Sequence, residues 1–269
     1  MSWNDAEYST AEGMPVMLFT FSLEQKAWRY TSADDVITVM GKSWLPVAVK
    51  GGTLAQGAGD HMEITLPMDN EVVSLFRGIP PSSPVKLMIY RLHMTDAQRE
   101  YETVWVGNIS EIRREQPDRA KLISVGIASS LTRQGLRLTW GRSCPYSVYD
   151  SNCRVQAGQF ARKGLVIRSL TGAGISTSLS GTEDGWFSGG YIEYFTDGIL
   201  QRRGIRTHAG DELQLFGGPS GLSPGMTFTA YPGCDLTINT CDRKFSNALN
   251  YGGCPHMPGV SPWEIIKVF

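Results

Sequence analysis

VKLMIYRL, residues 85–92, is the run on which the reading of the fold turns. Successive side chains of an extended chain point to opposite sides, so Val85, Leu87 and Ile89 share one face. Met88 and Tyr90 occupy the other, and both faces are expected to be covered, as in a barrel or sandwich strand packed within an assembly. Working outward, PVMLFTF (15–21), MEITLP (62–67), ETVWVGNI (102–109) and KLISVGIA (121–128) are further short runs bounded by polar or turn residues. Each reads as a strand. Helical character is sparse: NEVVSLFR (70–77) predicts about two turns, opened by Asp69 or Asn70 as a cap and closed before Gly78 and the Pro80, Pro81 pair.

Beyond residue 133 the texture changes. Glycine-rich turns at 172–181, 185–190 and 217–225 separate brief strand candidates at 191–195 and 226–230, and all five cysteines lie in this half. The expected fold is therefore mainly β, with a barrel- or sandwich-type domain over 1–135 and a loop-rich, glycine-rich, cysteine-bearing domain over 136–269. Apolar residues at 41% and charged residues at 19% describe an ordinary folded chain, neither core-starved nor charge-rich enough for disorder.

A formal charge of −1 argues against a generally electrostatic partner such as duplex DNA or an anionic membrane, which cations must neutralise in number. The local exception is Arg133, Arg137 and Arg142, which have no acid among them. The opening MSWNDAEYST has no basic start, apolar stretch or cleavage signature, so export by a signal peptide is not expected. In a reducing cytoplasm the cysteines are expected to be ligands or free thiols rather than disulfides.

Cys144 and Cys153 have eight residues between them, Cys234 and Cys241 have six, and eighty separate the pairs. These spacings are too long for tight zinc knuckles and unlike local ferredoxin runs. Two pairs gathered by the fold can nevertheless make a four-thiolate site; the competing reading is five buried cysteines acting as small hydrophobes. Pro145, Pro232 and Gly233 hold the backbone open beside the sulfurs. Arg142, Arg154 and Arg243 flank them and would offset thiolate charge.

At these residues the chain resembles a known family. RQGLRLTWGRSCPYSVYDSNC (133–153) and PGCDLTINTCDRKFSNALNYGGCPHMPG (232–259) are similar to the signature of the phage tail-tip, or baseplate hub, family, which includes the hub of gene transfer agents. The cysteine-pair spacings are also similar to those of the lambda tail tip protein. The resemblance implies an iron–sulfur cluster of the 4Fe-4S type, with zinc as the alternative, held by Cys144, Cys153, Cys234 and Cys241. It leaves out Cys254 and treats His256 as a loop histidine. It further implies a virion protein assembled in the host cytoplasm and placed at the tail tip. There it would trimerise about the tail axis beside a distal tail protein, a central tip or fibre protein and the tape measure protein.

The competing class is a tail-associated wall hydrolase. None of the four histidines (His61, His93, His208, His256) sits in a recognisable peptidase context, and the adjacent acids Glu183 and Asp184 lie in a glycine-rich run where carboxylates are usually solvated. No nucleophile elbow, zinc-protease helix motif or phosphate loop is present. A structural protein rather than an enzyme is expected.

Overall fold

The structure, a computed structural model, describes residues 3–11, 13–51, 61–114, 116–131, 135, 138 and 140–258; Arg133 and Arg137 lie outside them. The chain divides into two compact units, Met1–Arg133 and Gln134–Phe269.

In the first unit, helix α1 (Trp3–Tyr8) precedes strands β1 (Pro15–Leu23), β2 (Lys26–Thr31), β3 (Ile37–Val39), β4 (Lys42–Pro46), β5 (Lys50–Gly51) and β6 (His61–Pro67). Helix α2 (Glu71–Ser74) and strands β7 (Lys86–His93), β8 (Tyr101–Arg113) and β9 (Arg119–Gly126) follow. Among the described residues these strands form one nine-stranded sheet in the order β3-β4-β2-β1-β7-β8-β9-β6-β5. Every pairing is antiparallel except β2 with β4. The period-two reading of β7 explains its central place: Val85, Leu87 and Ile89 are fully buried on one face. The opposite face is covered too, because Leu92 packs with Leu18, Ile37, Val39 and Trp44, with Tyr90 against the same cluster.

Two local features of this unit follow from side-chain chemistry. Asn70 caps α2 by accepting the Val72 N–H at 2.9 Å, but the helix ends after Ser74 rather than running to residue 77. Phe76 and Arg77 donate to Val73 and Ser74 in tighter three-residue turns, which unwind it. Helix α1 is held to the end of β7 by Glu7, which accepts from Arg91 at 2.9 Å and pairs with the buried His93 at 2.6 Å. That places His93 in a structural contact with Glu7.

The second unit corrects the expectation of a loop-rich domain. After helix α3 (Ala157–Phe160), strands β10 (Arg162–Thr171), β11 (Gly174–Thr177), β12 (Tyr191–Thr196), β13 (Ile199–Ala209), β14 (Glu212–Leu215) and β15 (Thr227–Tyr231) close into a barrel, β10-β11-β14-β13-β12-β15. Its interior is filled by Ile167, Ile175, Phe187, Ile192, Ile205, Leu213, Phe228 and neighbours. Irregular registers within β10 and β13 shift the side chains between faces, so the alternation is hidden in the sequence. The glycines mark turns: Asp197 (φ 52°) and Gly198 (φ 76°) form the two-residue reversal between β12 and β13, which needs positive φ at both positions. Helix α4 (Ile238–Phe245) follows the barrel. Among the described residues no helix is long and apolar enough to cross a membrane.

Candidate metal centre

The cysteines lie outside the barrel strands, one pair before β10 and one after β15. Each pair sits in a loop that its own polar side chains shape. In the first, the Asp150 carboxylate accepts the N–H groups of Ser147 (3.1 Å), Asn152 (2.9 Å) and Cys153 (2.6 Å), folding the chain into a tight turn. Tyr149 and Arg154, on either side, take the left-handed backbone conformation (φ 71° and 63°). In the second loop, Asp235 accepts from the Thr237 N–H (3.0 Å) and hydroxyl (2.8 Å), while Leu236 adopts φ 64°. Its N–H donates to the Cys234 sulfur at 3.4 Å. Thr237 then caps α4 by accepting from the Thr240 N–H, and the helix carries Cys241 on its buried side.

Four contacts lay one loop against the other. The Cys144 N–H donates to the Leu236 carbonyl at 2.9 Å, and the Asn247 side-chain amide donates to the Cys153 carbonyl at 2.7 Å. The Tyr149 hydroxyl donates to the Pro232 carbonyl at 2.6 Å, and the Tyr251 hydroxyl bonds the carbonyls of Arg142 and Leu236. Tyr149 also meets Tyr191, Tyr231 and Phe245 edge-on, joining the loops to the wall of the barrel. The backbone approach is equally close: a Cβ on Gly233 would collide with the Ser188 carbonyl and the Gly189–Gly190 peptide. Gly233→Ala is therefore expected to push the Cys234 loop off the barrel, cost about 1–3 kcal/mol as overpacking does, and lower any metal content. Urea unfolding together with metal analysis checks it.

The four thiols share one electrostatic neighbourhood. Burial pushes Cys241 up to about 11, and negative charge on Cys234, Cys153 and Cys144 adds to the rise. Burial, followed by Asp235, Cys153 and Cys144, raises Cys234 as well, against the Leu236 N–H. Among the described residues no three histidine, cysteine or acidic groups converge closely enough for one metal ion. Cys144 and Cys241 are buried, while Cys153, Cys234 and Cys254 are partly exposed. The Cys254 N–H donates to the Gly141 carbonyl, and His256 is exposed.

A pH dependence follows for the metal-free chain. Because the folded Cys241 thiol keeps its proton up to about 11, the unfolded chain ionises first as pH rises through the ordinary thiol range. Stability that is complete below pH ~8.5 is therefore lost as pH climbs to about 11. Melting curves under reductant should fall across that window, and fall less in Cys241→Ser. Metal uptake runs the other way, since binding displaces thiol protons.

Of the cations expected beside the thiols, Arg142 donates to the Met257 carbonyl. The cation that the Cys234 charge favours is one that the sequence reading missed, Lys244. Its ammonium donates to the carbonyls of Gly233 and Trp186 and lies 4.8 Å from the Trp186 ring centre; burial lowers its pKa, and Cys234, Asp235 and Glu183 oppose that. The signal was its place three residues after Cys241, one turn along the same helix. Of the acids weighed for catalysis, Asp184 accepts the Gly210 N–H at 2.6 Å. His208 lies against the Gly210 carbonyl at 3.0 Å.

Residues 16–156 match the family model described as the baseplate hub protein, N-terminal attachment domain. That is more than half of the chain, and it includes Cys144 and Cys153. The chain belongs to the phage baseplate hub family. Residues 185–260 of this hub protein, with the other three cysteines, match the family described as phage conserved hypothetical protein BR0599. No curated protein matches the chain. Among solved structures the hub fold is similar to a chain of the virion of a native gene transfer agent particle, with a TM-score of 0.79 and 19% identity. The match covers 98% of this chain and 94% of that one.

Proposed function

We propose that this hub protein is a structural, non-enzymatic component of the tail tip of a long-tailed phage or phage-like particle, tied internally by an iron–sulfur cluster. The observation that carries the hub reading is the family match over residues 16–156, supported by a fold similar to a virion chain over nearly its whole length. The chain stands at the distal end of the tail tube as a homotrimer about the tail axis. It neighbours the distal tail protein, the central tip or fibre protein and the tape measure protein, and is assembled in the host cytoplasm. The domain over 1–135 is the hub proper, and 136–269 carries the metal.

Cys144, Cys153, Cys234 and Cys241 hold the cluster, of the 4Fe-4S type. One feature supports the fit: the loops bearing both pairs are laid together by hydrogen bonds, which brings Cys144, Cys153 and Cys234 within electrostatic reach of Cys241. The N–H of Leu236 at the Cys234 sulfur and the half-buried Lys244 suit a group of net negative charge. The role is structural: metal–thiolate bonds close a loop of eighty residues.

Electron microscopy of virions with the chain labelled tests its place. Density at the tail tip with three copies about the axis is the expected result; label along the tube or on the capsid would end the hub reading. Anaerobically purified protein should be brown and contain iron with acid-labile sulfide. Colourless protein with stoichiometric zinc would move the site to zinc.

A further inference from the structure

Asn247 stands where the two cysteine pairs meet. Ser246, left-handed at φ 50°, turns the chain off the end of α4 and brings Asn247 back under the helix. Its N–H donates to the Cys241 carbonyl at 3.0 Å, and its own carbonyl accepts from the Cys241 thiol at 3.3 Å. Its side-chain amide crosses to the other pair, donating to the Cys153 carbonyl at 2.7 Å with the Cys153 sulfur 3.9 Å away. The orientation of that amide is fixed from both ends, since its oxygen accepts from the Asn250 amide at 2.7 Å and only its nitrogen can serve Cys153. One residue thus touches Cys241 and Cys153, ninety-four positions from the latter.

We propose that Asn247 is a positioning residue for the metal site: its amide fixes Cys153 relative to Cys241 and supplies the N–H to the Cys153 sulfur that raises the reduction potential of the bound cluster. This rests on the cluster reading above. A thiolate ligand carries part of the cluster's negative charge, and one-electron reduction increases it. A donor aimed at the sulfur stabilises the reduced form more than the oxidised form. Asn247 therefore makes the cluster easier to reduce, and by holding Cys153 it keeps the partly exposed ligand of the first pair over the metal.

The test uses the full chain loaded anaerobically with iron and sulfide. Dithionite titration is followed by visible absorbance and electron paramagnetic resonance, and iron loss by a coloured ferrous chelator. Asn247→Ala should lower the midpoint potential and lose iron to the chelator about 10- to 100-fold more readily, the usual range for a lost partner of a metal ligand. Asn247→Asp should lower the potential further, because a carboxylate of the same shape cannot donate and adds negative charge. Asn247→His, which keeps a ring N–H, should load and restore much of the wild-type potential. Arg203→Lys, which disturbs the barrel away from the cysteines, should leave the potential unchanged.

If Asn247→Ala and Asn247→Asp fail to load while Asn247→His succeeds, the positioning role stands. If all three fail alike, or if the first two match the wild type in potential and chelation, the proposal is overturned and the cluster reading survives. Wild-type chain that takes up neither iron nor sulfide ends both.

Discussion

On the proposed cluster reading, serine at any one of positions 144, 153, 234 or 241 is expected to strip the chain of most of its iron and sulfide, and serine at position 254 to leave both in place. An alkoxide is a poor replacement for a soft thiolate, and three remaining ligands leave an iron open to water. The structural consequence should be local. The two loops are held together otherwise by a handful of hydrogen bonds, from Cys144 to Leu236, Tyr149 to Pro232 and Asn247 to Cys153, and each contributes only about 0.5–1.5 kcal/mol net. Without the metal, residues 140–258 should exchange amide hydrogens faster and be cut sooner by protease, while the sheet of the first unit keeps its protection. The decisive pair of measurements is iron content in Cys234→Ser and Cys254→Ser. Retention in the former and loss in the latter would show that Cys241 is partnered by Cys254 and that the ligand set is wrong.

The second large effect concerns Arg203, which is 6% exposed on the inward side of β13. Its guanidinium donates to the carbonyls of Gly218 (2.8 Å) and Ser220 (2.9 Å) and to the Tyr194 hydroxyl (2.8 Å), and burial lowers its pKa. The fork holds the glycine-rich turn between β14 and β15 across the barrel, and the Tyr194 ring lies 5.6 Å from the charge. Truncation to alanine leaves the buried Tyr194 hydroxyl without its donor, costing about 1–3 kcal/mol, and removes the bonds to the half-buried Gly218 and exposed Ser220 carbonyls, which water can partly replace; relief from burying a cation offsets part of the loss. A net loss of about 2 kcal/mol is expected in urea unfolding followed by hydrogen exchange of β12–β15. Arg203→Lys should recover less than half of it, because a single ammonium cannot reproduce the planar fork. A variant with Met as stable as the wild type would mean that desolvation cancels the hydrogen bonds.

The baseplate hub family was legible in the residues around the cysteines, and the family match over 16–156 extends it through the strand-rich first half. Five strands of the first unit, β1 and β6 to β9, were legible as short apolar runs bounded by polar or turn residues, with β7 the clearest alternation; β2 to β5 were not read. The barrel was not. Irregular registers in β10 and β13 break its alternation, and glycine turns read as loop when taken one segment at a time. Arg203 shows the same limit. Beside exposed Arg202 it is one of two identical neighbours, and only the register of β13 against β12 and β14 decides which faces inward.

The sequence by itself determined what acts over a few residues: period-two faces, the Asn70 and Thr237 caps, the Asp150 and Asp235 turns, and the presence of two cysteine pairs with prolines and glycines beside them. Local sterics and side-chain hydrogen bonds fix these whatever the rest of the chain does. Only the tertiary structure decided that segments eighty or more residues apart lie side by side, that half-buried Lys244 is the cation that the Cys234 charge favours, and that Asn247 spans the pairs. Those juxtapositions arise when a six-stranded barrel closes and brings its two ends, each carrying a cysteine loop, to the same place. That closure is a property of the whole second unit and is written in no single stretch of it.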